Sequence, residues 1–389
     1  MKTADKLAKI PPYLFMELRK KINKAKAEGI DVISLAIGDP VEATPDSIID
    51  ELCATSRDPL NHRYPTDEEK GMLAYRREIA KWYETRFGVT LNPENEILGL
   101  IGSKEGCHHF IIARVNPDDI VLMTDPGYPA YRSSILLGGG VPYNVPILPQ
   151  NNYLPVFEDI PTDIAKKATA MFLNYPNNPT GACATLEFLD KLVEFARTYD
   201  IAVCYDNPYS EIVFSGQKRI SFLMAKGAKD VGIELNSLSK PFNMCGWRLG
   251  MACGNPELIA AISKVKENTD SGIFNPIQFA GIKALQKEAP FVEKMIELYG
   301  KRRELVLQTL KKIGIEFNPP RGTFYLWVPV PKGMTSLEFT NRLFDKTAVV
   351  VAAGTAYGLY GEGFVRISLT VPDERLREAM ERIEKEFAG

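Results

Sequence analysis

Paired cysteines, clustered histidines and long apolar runs are all scarce in this 389-residue chain. Its six cysteines (Cys53, Cys107, Cys183, Cys204, Cys245 and Cys253) form no CxxC pair, so neither a zinc site nor a disulfide framework is expected. The histidines are His62, His108 and His109, and the adjacent pair falls in a helical pattern that suits packing better than a metal site. No apolar run approaches the roughly 20 residues that a membrane helix needs. The opening stretch, MKTADKLAKI, is too polar for the apolar core of a signal peptide. An excess of one charge is missing too. Lys and Arg number 47 and Asp and Glu 49, a formal net charge of −2, which excludes a broad polybasic surface for nucleic acid or anionic lipid. GxGxxG, the Walker phosphate loop, HExxH and GxSxG are all absent, so the common nucleotide, zinc-protease and serine-hydrolase readings lose their carriers. The expectation is a reduced, cytoplasmic protein with neither a nucleic-acid nor a membrane partner, long enough for two to three domain-sized units.

Apolar residues make up 45% and charged residues 25%, the balance of an ordinary globular protein. Short apolar runs at 97–101 (ILGLI), 120–123 (IVLM), 170–173 (AMFL), 201–205 (IAVCY) and 231–235 (VGIEL) read as strands buried on both faces. Helical patterns lie between several of them. At 186–199, Leu189, Leu192, Val193 and Ala196 fall on one stripe. This alternation predicts an α/β fold with a mostly parallel sheet covered on both faces, whose ligands sit at the strand C-terminal ends. The chain ends differ: an amphipathic, Lys-rich segment at 13–29, then a charged helix from about 291, strand patterns at 323–330 and 364–369, and a last helix ending at 388. They predict a smaller α+β domain from residues 1–45 and 286–389 around a large domain at 46–285.

Three of the predicted strands run into polar loops: NYPNNPTG at 174–181, DNPY at 206–209 and SLSKPFNMCGWRLG at 237–250. Singly, each is ordinary turn chemistry. Together they suit a cofactor with an aldehyde, a phosphate and a protonated ring nitrogen. Lys240, set among hydroxyls, can form a Schiff base with the aldehyde. Asp206 can pair with the ring nitrogen and keep it charged. Asn178 and Tyr209 can hydrogen-bond a phenolate oxygen. Ser237, Ser239 and Arg248 offer two hydroxyls and a guanidinium fork to a phosphate, and Ser103–Lys104 adds backbone donors at a helix start.

The run Ser237-Leu-Ser-Lys240, followed by Gly246-Trp-Arg248 and Gly250, resembles the lysine signature of class I pyridoxal-phosphate aminotransferases of fold type I. NPTG at 178–181, Asp206 with Tyr209, and FVRISL at 364–369 fall in that family's order, and the similarity runs from about Pro11 to the C-terminus. The resemblance implies a large domain with a seven-stranded sheet, the cofactor pyridoxal 5′-phosphate, no metal, and a homodimer with shared active sites. It also implies roles. Lys240 would carry the cofactor and shuttle a proton; Asp206 would hold the ring nitrogen; Asn178 and Tyr209 would hold its phenolate oxygen. Ser103, Lys104, Ser237, Ser239 and Arg248 would bind the phosphate, Tyr128 would stack on the ring, and Tyr64 would reach the partner's phosphate. Arg366 would clamp the substrate α-carboxylate, beside Asn178 and Gly38.

For the far end of the substrate, no arginine occurs between Arg248 and Arg302, where the animal-type aspartate enzymes place one. The segments at 11–40, 102–106, 266–281, 321–339 and 360–376 are instead similar to the bacterial and archaeal LL-diaminopimelate aminotransferases. That likeness implies small amino-acid and 2-oxo-acid substrates, with Tyr13, Lys104 and Asn275 recognising the distal end. The stretch VEATP at 41–45 departs from that subfamily. An aminotransferase of broader aspartate, alanine or aromatic specificity, a C–S lyase with the same cofactor, and a non-catalytic effector-binding domain stay open.

Overall fold

The computed structural model describes residues 1–10, 14–65, 67 and 70–387. Its centre is a seven-stranded sheet in the order Ile97–Leu100, Gly250–Gly254, Gly232–Ser237, Ala202–Asp206, Ala168–Asn174, Ile120–Asp125 and Val141–Pro146. Only Gly250–Gly254 runs against its neighbours; the other pairings are parallel. The fold is the expected fold type I α/β arrangement.

Burial on both faces explains why these strands read as unbroken apolar runs. Met171, Leu173, Val203 and Tyr205 enter one core, with Tyr83, Leu189, Leu192 and Val193. Their neighbours Ala170, Phe172, Ala202 and Cys204 point the other way, into a core with Phe110, Ile111, Tyr131 and Ile262. Successive side chains alternate across a strand, so one run feeds two cores. The helix Leu186–Tyr199 has the expected bounds. Thr185 caps it, its hydroxyl accepting from the Phe188 amide at 3.2 Å.

Two sheet strands, Val141–Pro146 and Gly250–Gly254, lie outside the runs the sequence marks. The first is an edge strand with two prolines, a position where a missing amide donor is tolerated. The second is bounded by glycines and follows the Lys240 loop directly, so loop chemistry masks it.

The chain ends meet elsewhere. Tyr325–Pro329, Phe364–Ser368 and Ala352–Ala353 form an antiparallel sheet, and Ile33–Ser34 pairs in parallel with Val349–Val350. Leu326, Val328, Val365, Ile367, Leu376 and Met380 build a further core there, with Val306 and Leu310 from the helix Ala289–Lys312. The last helix is Asp373–Phe387; residue 388 lies outside the described residues. Among the described residues, no helix is long and apolar enough to cross a membrane.

Phe172 joins core to site, because its ring stacks on Tyr131 with centroids 4.7 Å apart. Phe172→Ala is expected to lower the unfolding free energy by about 3–5 kcal/mol, the usual range for a fully buried phenylalanine. Urea unfolding measures it; a loss below about 1 kcal/mol would mean this core collapses around the gap.

Candidate active site

Asn174, Asp206 and Ser237 are the last residues of three neighbouring strands, and Asn174 and Asp206 lie in register. Their loops, with residues 37–39, the helix start at Ser103, and Tyr325 and Arg366 from the smaller sheet, enclose a 460 Å³ cavity. The expected residues Gly38, Ser103, Lys104, Tyr128, Asn178, Asp206, Tyr209, Ser237, Ser239, Lys240, Arg248 and Arg366 all line it. Three do not. Tyr13 lies outside the described residues. Tyr64 is 76% exposed, away from this cavity. Asn275 starts the helix Asn275–Lys287, also away from it, where its Oδ1 accepts from Gln278 Nε2 at 3.4 Å.

Asp206 is the buried anion of the site. Tyr131 donates its hydroxyl to Oδ2 at 2.7 Å, while Oδ1 meets no donor in hydrogen-bonding geometry. Burial pushes the carboxyl up to about 7, against the smaller downward pull of the Tyr131 and Ser103 hydroxyls. The neighbouring loop at 174–181 is braced by side-chain amides and tied to the Asp206 backbone. Asn174 Nδ2 donates to the Asp206 carbonyl at 2.6 Å, and Asn174 Oδ1 accepts from the Asn178 amide at 2.7 Å. Asn177 Oδ1 accepts from the Thr180 amide and hydroxyl.

Lys240 Nζ donates to the Gly38 carbonyl at 2.8 Å and lies 3.3 Å from Cys245 Sγ. Position 38 is a glycine where the chain packs closely: a Cβ there would fall 1.8 Å from the Tyr325 hydroxyl. That hydroxyl is 3.1 Å from the hydroxyl of Tyr209, whose phenol burial holds well above its usual range.

Ser237 Oγ and Ser239 Oγ lie 2.9 Å apart. Arg248, held in the left-handed region at φ 56°, sends Nη1 to the Cys245 carbonyl at 2.8 Å. Its Nη2 would sit 2.2 Å from a Cβ at Gly102, the residue before the helix Ser103–Arg114. Guanidinium, two hydroxyls and helix-start amides thus converge, a donor set suited to a phosphate. Arg366 is buried, donating Nη1 to Asn178 Oδ1 at 2.7 Å and Nη2 to the Ala36 carbonyl at 2.6 Å. It stacks on Tyr325 at 4.0 Å.

A model of aminotransferases of class I and II matches residues 30–383. The chain belongs to that family. An LL-diaminopimelate aminotransferase of Halothermothrix orenii is 50% identical over 383 residues, covering 98% of each chain. One from Aquifex aeolicus is 50% identical over 380 residues, again 98% of each. Among solved structures, substrate-bound BacF from Bacillus subtilis is 36% identical with a TM-score of 0.96, covering 100% of this chain and 99% of its own. An aspartate aminotransferase variant from Thermus thermophilus is 26% identical with a TM-score of 0.92, over 99% of each chain.

The cofactor of this aminotransferase is pyridoxal 5′-phosphate. The cavity fits it on its own chemistry: the bare Asp206 oxygen suits a protonated ring nitrogen, and the Gly102–Arg248 cradle suits the phosphate. Among the described residues, no group of three or more His, Cys, Asp and Glu could hold a metal ion. Sequence reasoning missed Tyr131, Tyr325, Asn174, Asn177, Cys245 and Arg19. A signal existed for two of them. Tyr131 follows Tyr128 by three residues in DPGYPAY, and Cys245 lies inside the lysine signature.

Two predictions follow from this geometry. Without cofactor, the folded protein holds the Asp206 proton up to about pH 7, whereas the unfolded chain releases it near 3.8. Stability therefore falls as pH rises across that window, and Asp206→Asn, with no such proton to lose, escapes that part of the fall. The cofactor-free variant should gain melting temperature over the parent at pH 8 more than at pH 5; an equal difference would contradict the assignment. Gly38→Ala should displace Tyr325 and lower the kcat/KM of transamination about 100-fold, the scale of an ångström-level misplacement. A loss under about threefold would show that the close approach is not needed.

Proposed function

We propose that the chain is an LL-diaminopimelate aminotransferase, transferring the amino group of glutamate to tetrahydrodipicolinate in lysine biosynthesis. The observation that carries this reading is identity at about half of all positions, over nearly the full length, with relatives of that name. Pyridoxal phosphate supplies a sink for the electrons left when the substrate Cα loses its proton. The chain supplies position and proton transfer. Lys240 would hold the cofactor, and its amine would move the proton to and from the substrate Cα. Asp206 holds the proton on the ring nitrogen, and Asn178 and Tyr209 hold the ring oxygen. Ser103, Ser237, Ser239 and Arg248 take the phosphate, with Lys104 acting there through its backbone and at the distal substrate end through its amine. Tyr128, which lies edge-on to Tyr131 with 5.6 Å between centroids, would stack on the ring. Arg366 takes the α-carboxylate as a planar fork beside Gly38.

In this reading the protein acts in the cytoplasm as a homodimer with shared sites. The exposed Tyr64, along with Asn275 and Tyr13, would serve that sharing and the distal end of the substrate. Exposed Leu60 and Phe274 accompany Tyr64 as apolar surface for a second copy to cover. Residues 46–285 would form the large domain and residues 1–45 with 286–389 the small one, consistent with separate cores on the two sheets.

Single-turnover absorbance on the cofactor-loaded protein tests the substrate. LL-diaminopimelate and glutamate should each convert the aldehyde form of the cofactor to the amine form quickly, with aspartate and alanine at least about 100-fold slower. Fast conversion by aspartate or alanine instead would keep the aminotransferase and discard the diaminopimelate reading.

A further inference from the structure

The cations around the cavity differ in what they meet. Arg366 is tied to Asn178 and Ala36, Arg248 to Cys245, and Lys240 to Gly38. Arg19 is different. It lines the same cavity from the helix Leu14–Ala27, it is exposed, and it forms no ion pair with any described residue.

Its placement follows from how that helix is seated. Ile22 and Ala25 are buried against Val32, Ala36, Trp327 and Val350. Arg19 precedes Ile22 by three residues, so it shares the inward face. On the flank, Lys21 Nζ donates to Asn341 Oδ1 at 3.0 Å and lies 4.5 Å from the Phe344 ring centroid. Ala36 belongs to the same buried cluster as Ile22 and Ala25, and its carbonyl accepts from Arg366.

We infer that Arg19 is a specificity-determining residue that takes the distal carboxylate of a two-ended substrate while Arg366 holds its α-carboxylate. The inference rests on the proposed reading of the substrate as a dicarboxylic amino acid. It supplies the second cation that the segment between Arg248 and Arg302 lacks. Both LL-diaminopimelate and glutamate carry a second carboxylate, so one flexible, exposed guanidinium can serve both half-reactions. Because the group is exposed, its effect is modest, about tenfold in affinity.

The test compares the parent with Arg19→Gln and Arg19→Lys, each loaded with pyridoxal phosphate. Calorimetry measures binding of heptanedioate and heptanoate, which share chain length and differ in the second carboxylate. Turnover of LL-diaminopimelate is followed in parallel. Arg19→Gln should weaken heptanedioate about tenfold and leave heptanoate unchanged; it should raise the KM for LL-diaminopimelate about tenfold with kcat within about twofold. Arg19→Lys should recover part of both losses. Unchanged heptanedioate binding, equal weakening of both acids, or a loss of discrimination in Lys104→Gln but not in Arg19→Gln would overturn the inference. The two claims fail separately. Turnover of LL-diaminopimelate that ignores Arg19 sinks this inference alone. A parent inert toward LL-diaminopimelate, yet preferring heptanedioate through Arg19, sinks the substrate reading alone.

Discussion

A carboxylate buried at the end of a parallel strand governs the site. Asp206 is almost wholly buried, and one of its oxygens is held by Tyr131 while the other lacks a donor. An uncompensated buried charge is costly, by several kcal/mol, so the protein without its cofactor carries a site poised to accept a cation. A protonated ring nitrogen answers that demand. In the proposed reading, binding the cofactor and making it electron-deficient would be one interaction, since a contact that relieves Asp206 would keep the ring charged. Tyr131 is in turn held by its stack on Phe172, so the core of the sheet reaches directly into the chemistry.

The other groups surround this pair from separate elements, which is how parallel sheets with helical crossovers assemble sites. Three strand ends deliver Asn174, Asp206 and Ser237, and the smaller sheet delivers Tyr325 and Arg366. Their junction is tight. The Tyr325 hydroxyl occupies the space where any side chain at Gly38 would go, and the Gly38 carbonyl accepts from Lys240. Lys240 therefore sits where the N-terminal segment, the strand Tyr325–Pro329 and the central sheet meet. A shift of any one of them moves the others.

How much of this is legible in sequence depends on what a residue acts upon. Groups proposed to meet the cofactor need particular chemistry at set spacing, so Lys240 with Arg248, Asp206 with Tyr209, and Asn178 stand out from their loops, and all of them line the cavity. Asn174 and Asn177 act on backbone atoms and look like ordinary turn residues. Tyr325 and Arg19 come to the cavity through tertiary packing, from segments whose apolar patterns say only that they are buried or amphipathic. The same limit applies to the fold. Strands buried on both faces announce themselves as apolar runs, whereas the proline-bearing edge strand Val141–Pro146 does not. Tyr64 and Asn275 do not line this chain's cavity, and the roles the resemblance gives them, the partner's phosphate for Tyr64 and the distal substrate end for Asn275, are not legible from one chain's packing.

The claim that Asp206 and the cofactor ring complete each other is tested most directly by the nitrogen-15 NMR shift of the ring nitrogen in labelled, bound cofactor. In the parent protein the account predicts a protonated ring nitrogen that persists to at least about pH 8, held by the buried carboxylate. In Asp206→Asn the nitrogen should be unprotonated at that pH with the cofactor still bound. A neutral nitrogen in the parent, or a protonated one in both proteins, would contradict it.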